Sequence, residues 1–167
     1  TEDDLAQQQA LKCAFDPETP NNDGCFRPIS LIAPEGSIVN PRRPAPVWGR
    51  HLTGHYLPIL VLAALGKLIP DRVIAECGSP LWNCYFTGEQ EDGRRYVRMF
   101  FMNGGHGALP MRDGPACLSF PSNVATQPVE QFENAVPMLI TEKSLIPDSG
   151  GAGRTRGGLS QRLTFEA

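Results

Sequence analysis

Apolar positions recur with helical spacing in two long stretches. Between Thr1 and Phe15, Leu5, Leu11 and Phe15 fall roughly on one face, the three- and four-residue repeat of an amphipathic helix. Thr1 and Asp4 form a capping-box-like start, and Pro17 stops the element. A denser stripe follows in Leu57, Leu60, Val61, Ala64, Leu65 and Leu68. It predicts a second helix, capped by Thr53 and ending near Ile69 and Pro70, with Pro58 confined to its first turns. This should be the most buried helix, and a partner-binding role for it is the weaker alternative. A short helix is expected over Pro128 to Asn134, capped by Thr126 or Gln127 with Pro128 in the first turn.

Strand signals alternate with these helices. Asn83 to Glu89 and Arg94 to Met102 flank a Glu91-Asp92-Gly93 turn, the clearest hairpin pattern in the chain. Tyr96, Arg98, Phe100 and Met102 alternate with Arg95, Val97, Met99 and Phe101. Both sets are apolar toward the end, so the strand should be covered on both sides there. Met138 to Ile146 and Leu159 to Phe165 read as strands, separated by the glycine-rich turn Asp148 to Gly158. Arg27 to Ala33 and Ala116 to Phe120 are shorter strand candidates. After a tight turn at Pro34-Glu35-Gly36-Ser37, Ile38 and Val39 should resume an extended chain. Pro41, Pro44 and Pro46 then bar the segment from a central ladder. Asp16 to Gly24 is a turn-rich link. The fold class is α+β: mixed, mostly antiparallel strands with a few packed helices.

Composition narrows the function. The 17 glycines and 16 prolines in 167 residues exceed the roughly 12% of average usage, without a collagen period, and imply many turns. A net charge of −3 with lysine only at Lys12, Lys67 and Lys143 offers no basic patch for nucleic acid. The five cysteines, Cys13, Cys25, Cys77, Cys84 and Cys117, are odd in number and form no CxxC. Reduced thiols in a cytoplasmic protein follow as the default. The longest apolar stretch, Tyr56 to Ile69, is broken by Pro58, Gly66 and Lys67, and no membrane partner is expected. The chain opens inside a helical pattern and stops after a strand, so it is expected to be a piece of something longer.

Four motifs carry candidate chemistry. His51-Leu-Thr-Gly-His55 places two imidazoles four apart, the spacing of helical metal ligands. Gly54, Pro58 and the lack of an acidic residue between them weaken that reading. A substrate-facing or capping His55 is favoured over metal binding, and a structural role over both. Gly104-Gly-His-Gly107 after a strand offers backbone N–H groups to an anion or carbonyl, with His106 as acid, base or donor. The plain alternative is a loop that needs φ > 0 at several positions. Ser149-Gly-Gly-Ala-Gly153 with Arg154, Arg156, Gly157 and Gly158 is better read as a turn than as a phosphate or RNA segment, since it lacks the end of a P-loop. In Ser119-Phe-Pro-Ser-Asn123, Asn123 either orients a substrate amide or caps the local backbone. No GxSxG, HExxH or Ser-His-Asp set is present, and local chemistry alone declares no function.

The order of several stretches does. Asn22-Asp-Gly-Cys-Phe-Arg-Pro28, Ala33-Pro-Glu-Gly-Ser37, Asn40-Pro41 and Arg50-His-Leu-Thr-Gly-His55 come first. Arg112-Asp-Gly114, Phe120-Pro-Ser-Asn-Val124, Pro128-Val-Glu130, Pro147-Asp-Ser-Gly-Gly-Ala-Gly-Arg154 and Arg156-Gly-Gly-Leu159 follow. Together they resemble the C-terminal half of the hydantoinase B/oxoprolinase family, along nearly the whole chain.

The resemblance implies residues 1–167 as a single C-terminal segment of a larger, multi-layer B-type subunit. The implied activity is ATP-dependent hydrolysis of cyclic amides, of the hydantoinase or 5-oxoprolinase type, with the isolated segment inactive. Two alternatives are a segment of an ATP-dependent acetone or acetophenone carboxylase and a non-catalytic docking module. The family's nucleotide-binding half lies in a hydantoinase A-type subunit, so a homo- or hetero-oligomer is expected. Its acidic and histidine metal motif lies N-terminal to the matching region and meets no positions here. No cofactor or metal is therefore expected in this segment, while ATP, Mg and a divalent metal are implied for the holoenzyme. His55 and Asn123 stand in family-like stretches, whereas at His106 the family more often has another residue. Catalytic residues stay unassigned; His55, His106 and Asn123 are the substrate-binding candidates.

Overall fold

The computed structural model describes residues 2–78, 81–118, 120–124 and 126–166. It divides into two compact units, Thr1–Ala75 and Glu76–Ala167. Among the described residues eight elements follow one another, four helices and four strands in antiparallel pairs, so the fold is α+β. Among the described residues no helix is long and apolar enough to cross a membrane.

The first unit is helical. α1 (Glu2–Phe15) packs against α3 (Arg50–Leu65). Thr1, the Asp4 side chain and the Leu5 side chain lie outside the described residues. Among the described side chains of α1 the buried ones are Ala10 and Ala14, and Phe15 is exposed, so this end of α1 packs with short side chains rather than with its largest one. α3 starts earlier than the sequence predicts. Gly49 stands at its N-cap with no side-chain bond, Thr53 lies inside, and Pro58 is in the interior. The proline leaves the Gly54 carbonyl without its helical donor, yet Pro58 is buried along with Leu57, Ile59 and Leu62. The apolar stripe is thus rotated from the expected one. Leu60 is 63% exposed and Leu68 lies beyond the helix in the open, because α1 covers only a narrow arc.

Between these helices the chain turns repeatedly. In the expected turn-rich link, Asn22 caps a one-turn helix, α2 (Asp23–Phe26), by accepting from the Cys25 N–H at 3.2 Å. Arg27 to Ala33 forms no strand, and Ile32 is 88% exposed. Pro28 and Pro34 bracket the apolar run and remove ladder donors, and among the described residues of this unit no strand is present to pair with it. The Pro34 turn forms as predicted, with Gly36 at φ 85° and the Ser37 N–H donating to the Pro34 carbonyl at 3.1 Å. Ile38 and Val39 do not extend from it. They form the tip of a second turn closed by the Asn40 N–H on the Ser37 carbonyl, with Asn40 Nδ2 also bonded to the Ala33 carbonyl at 2.9 Å.

The second unit is built on two hairpins. β1 (Trp82–Glu89) and β2 (Arg95–Met102) pair from Trp82↔Met102 to Glu89↔Arg95, the hairpin the sequence predicts, with each strand's start shifted by one residue. Gly93 takes φ 81° in the turn, and the Arg94 N–H donates to Asp92 Oδ1. β3 (Leu139–Leu145) pairs with β4 (Gln161–Glu166) across an irregularity between Ile140 and Glu142. There Glu133 Oε1 takes the Ile140 N–H at 2.8 Å, joining the strand to α4 (Val129–Glu133). α4 has Pro128 as N-cap with no side-chain bond; the expected cap, Thr126, accepts from Asn103 instead. Ala116 to Phe120 is not a strand. It holds a turn in which Cys117 takes φ 52°.

One aromatic cluster joins these pieces. Phe100, Phe132 and Val136 are its buried centre, flanked by Phe86, Ile140, Leu163 and Phe165. The Phe132 ring lies 5.1 Å from Phe86, 5.0 Å from Phe100 and 5.8 Å from Phe165, in the edge-to-face arrangements that aromatic quadrupoles favour. Gln90 Nε2 reinforces the packing by donating to the Ala135 carbonyl at 2.9 Å. Because Phe132 is 1% exposed and touches both hairpins, Phe132→Ala should destabilise the fold by about 3–5 kcal/mol. Val97→Ala, on an exposed strand position, should change it by less than about 1 kcal/mol. Urea unfolding of the two variants against the parent chain measures both.

Candidate functional site

The Gly104–Gly107 loop leaves β2 and passes between two other extended segments. The His106 N–H donates to the Pro115 carbonyl at 3.0 Å, and the His106 carbonyl accepts from Gly158 at 2.8 Å. Gly105 accepts from Gly78 at 2.9 Å, and Gly114 donates to Arg156 at 2.8 Å. These backbones are so close that a Cβ on Gly105 would overlap the Gly158 carbonyl. One on Gly158 would overlap the Pro115 carbonyl, and one on Gly114 the carbonyl of His106. Among the described residues the glycines with positive φ are Gly36 and Gly93. The glycine loop therefore answers to close approach, not to the left-handed backbone the sequence suggests. Nor is it an anion nest, since the His106 N–H is engaged by Pro115 and the Gly107 N–H by Cys77 Sγ at 3.2 Å. Burial pushes the Cys77 thiol up from its ordinary pKa, against the lowering effect of that Gly107 bond, and keeps it protonated.

The Ser149–Gly158 segment belongs to the same stack. Gly157 donates to the Gly151 carbonyl at 2.9 Å. Arg154 Nη2 donates to the Pro110 carbonyl at 3.0 Å, Thr155 Oγ1 to Leu109 at 2.7 Å, and the Arg156 N–H to Asp113 Oδ1 at 2.7 Å. It is a structural turn, closed onto the Arg112–Gly114 segment.

His106 is buried, and its Nδ1 lies 2.7 Å from the Gly107 carbonyl. A carbonyl only accepts, so Nδ1 carries the proton in this contact. The ring meets Phe120 edge-on with centroids 5.4 Å apart. Asn123, three residues on, is exposed at φ 53°, a left-handed position that asparagine tolerates. Ser119, at the start of that run, lies outside the described residues. His106 and Asn123 thus stand in adjoining loops of the second unit.

His55 stands in the first unit, one turn after His51 on α3, with ring centroids 6.4 Å apart. Both histidines are helical, although Gly54 and Pro58 argued otherwise. His55 is half-buried, and its Nδ1 is enclosed without a hydrogen-bond partner. Burial, and then the positive charge of a protonated His51, hold its pKa below the ordinary 6.5. Among the described residues no three of His, Cys, Asp or Glu gather in a metal-binding group. The described side chains do not fit the divalent metal implied for the holoenzyme, and no step is derived through one.

A second polar position emerges beside the glycine loop. Asn103, at the end of β2, is 3% exposed. Its Nδ2 donates to the Val124 carbonyl at 3.3 Å and to Thr126 Oγ1 at 3.2 Å, and its carbonyl accepts from Gln161 Nε2 at 2.7 Å. Its Oδ1 is buried with no partner. Asn103 lines a cleft of about 160 Å³ together with Trp82, Met102, Ser160 and Gln161. The sequence gives one faint sign of it, a polar residue closing the apolar run Met99 to Met102; the other walls are too distant in the chain to form a motif.

The hydantoinase B/oxoprolinase family profile matches residues 6–167. The chain belongs to this family. The hydantoinase B relatives include the caprolactamase beta subunit of Pseudomonas jessenii, 34% identical over 88% of this chain and 27% of that protein. The 5-oxoprolinase of Dictyostelium discoideum is 33% identical over 89% of this chain and 11% of that protein. An uncharacterized protein of Methanocaldococcus jannaschii is 38% identical over 94% of this chain and 27% of its own length. The chain spans about a quarter of the length of the first curated relatives it matches.

Two outcomes follow for this hydantoinase B segment. Gly105→Ala should cost at least about 2 kcal/mol of stability through the Gly158 overlap, whereas Gly151→Ala, with nothing within 4 Å of its added methyl, should be near neutral; thermal melts compare them. His55 has a folded-state pKa below its unfolded one, so the unfolded chain takes up its proton first. Its contribution to stability is complete above pH 6.5 and falls away as pH drops through the folded pKa. His51→Ala should raise the His55 midpoint toward 6.5 in an NMR titration.

Proposed function

We propose that this chain supplies the C-terminal portion of the B-type subunit of an ATP-dependent cyclic-amide hydrolase, acting with a hydantoinase A-type subunit. The observation that carries the reading is the family match along residues 6–167, held together with a caprolactamase beta subunit and a 5-oxoprolinase. Caprolactam and 5-oxoproline are both rings closed by an amide. A cyclic amide carries its N–H and C=O cis to one another and is resonance-stabilised, so opening it requires prior activation, the role assigned here to ATP. The second-stage hydrolysis is assigned to the B-type subunit, in a cytoplasmic hetero-oligomer. This chain contributes a rigid scaffold to it, in which His106 is fixed in one tautomer and Asn103 is held by three hydrogen bonds.

The test compares the chain with the longer subunit that this reading requires, each supplied with a hydantoinase A-type subunit. Ring opening of hydantoin, N-methylhydantoin, caprolactam and 5-oxoproline is followed with and without ATP. The longer subunit should open at least one ring only with ATP, and the chain alone none. Turnover by the chain alone would move the chemistry into this segment. Carboxylation of acetone or acetophenone, with no ring opened, would replace the hydrolase reading.

A further inference from the structure

The β1–β2 hairpin is apolar on both faces, and the second unit covers one of them. The register puts Cys84, Phe86, Tyr96, Phe100 and Met102 on the inner face, against the aromatic cluster that α4, β3 and β4 complete. The outer face carries the cross-strand pairs Tyr85↔Met99 and Thr87↔Val97, with Phe101 at the base and Glu89↔Arg95 beside the turn. Tyr85 is 42% exposed and Val97 64%, while Met99 and Phe101 are half-buried. Among the described residues no helix or further strand forms a layer across this face.

An antiparallel hairpin with one face in water alternates apolar and polar residues. Here the alternation holds only near the turn, where Thr87, Glu89 and Arg95 point outward. Towards the base, Tyr85, Val97, Met99 and Phe101 give the outer face the composition of an interior one, and a contiguous apolar surface of that kind marks a contact.

The size of the surface decides what makes that contact. Two strands of eight residues, at about 3.4 Å per residue and about 4.8 Å between strands, present a strip of roughly 270 Å². A stable interface between separate proteins takes about 800 Å² from each partner. A second copy of this chain seated on the strip alone would not offset its lost translational and rotational freedom. A layer tied to the hairpin through the same polypeptide is held at high effective concentration and escapes most of that cost. The chain spans about a quarter of the length of the first curated relatives it matches, so those relatives hold ample further polypeptide to form such a layer.

We infer that the outer face of the β1–β2 hairpin is covered by an apolar layer from the remainder of the B-type subunit, packed on Tyr85, Val97, Met99 and Phe101, with the Glu91-Asp92-Gly93 turn left in solvent. The inference rests on the reading of this chain as part of a longer B-type subunit and adds the surface that joins the two parts.

Introduced thiols report the cover. Val97→Cys and Tyr85→Cys on the outer face, and Glu91→Cys at the turn, are each made in this chain and in the longer subunit. Maleimide labelling is followed by peptide mass mapping, which separates these positions from the five native cysteines. Slow labelling of the buried Cys77 shows that a variant is folded. Val97→Cys and Tyr85→Cys should label at least about tenfold more slowly in the longer subunit than in the chain, and Glu91→Cys at the same rate in both. Equal rates at all three positions would overturn the inference. So would slow labelling at 97 and 85 that appears only when a hydantoinase A-type subunit is added, which would give the face to that partner. Slow labelling in the chain alone would also overturn it, in favour of a second copy if the effect grew with concentration and of a cover from within this chain if it did not. Slowing at Glu91→Cys would overturn the free turn. Protection in the longer subunit without ATP-dependent ring opening would remove the hydrolase reading and leave this surface standing. Ring opening with rapid labelling at 97 and 85 would do the reverse.

Discussion

Three extended backbones in the second unit approach so closely that one methyl group would force them apart. Gly105 lies against the Gly158 carbonyl, Gly158 against that of Pro115, and Gly114 against that of His106. Hydrogen bonds from His106 to Pro115 and from Gly158 to His106 lock the stack. Its consequences reach both hairpins, because Gly104–Gly107 continues β2 and Gly158 lies three residues before β4. Fixing those two segments fixes the end of one hairpin against the start of the other. The Gln161 bond to the Asn103 carbonyl follows from that placement, and the cleft is the gap it leaves. Side-chain packing alone would leave the hairpins free to slide, since an aromatic cluster tolerates small shifts that backbones in such close approach do not.

The aromatic cluster supplies what the stack lacks. Two-stranded hairpins are marginal by themselves, and each here is covered by the other and by α4 through Phe86, Phe100, Phe132 and Phe165. The hydrophobic effect brings these elements together without strong directional preference. Direction comes from the polar ties at the periphery: Gln90 to Ala135, Glu133 to Ile140 and Lys143 Nζ to the Gln127 carbonyl at 3.3 Å. Burial sets the energy, and backbone contact sets the register.

How much was legible in the sequence follows from the same division. The β1–β2 hairpin was readable to within a residue at each strand's start because its partner strand lies one turn away and Asp92-Gly93 dictates that turn. Met138 to Ile146 and Leu159 to Phe165 were readable for the same local reason, across a longer connection. Arg27 to Ala33 and Ala116 to Phe120 carry equally apolar runs, yet a strand exists only where a ladder partner does, and no local rule supplies one. α3 was found with both ends shifted, and its buried arc was not. The stripe from Leu57 to Leu68 records where apolar residues are available, while α1, with Ala10 and Ala14 as its contact surface, decides which of them are covered. The ordered motifs carried the family because order survives where single motifs are weak. The Gly104–Gly107 loop was read as needing φ > 0, whereas Gly105 serves close approach to Gly158, a property of pairs far apart in the chain.

The candidate site shows the same limit in its chemistry. Sequence reasoning ranks residues by intrinsic reactivity, and so it selects His55, His106 and Asn123. Within the fold, what matters is which hydrogen-bonding capacity is left over once the protein has satisfied its own. His106 has its N–H, its carbonyl and its Nδ1 engaged within the chain, so only Nε2 remains for outside chemistry. Asn103 is chemically the plainer residue, but it holds an acceptor that nothing in the described fold answers. Its amide orientation is dictated from behind by Val124 and Thr126, which makes that vacancy a fixed one and not a choice of rotamer. A buried polar atom left in this state costs the folded chain stability. The glycine stack that holds Gly105 and Gly158 together is therefore what fixes this asparagine, and its unanswered acceptor, at the strand end.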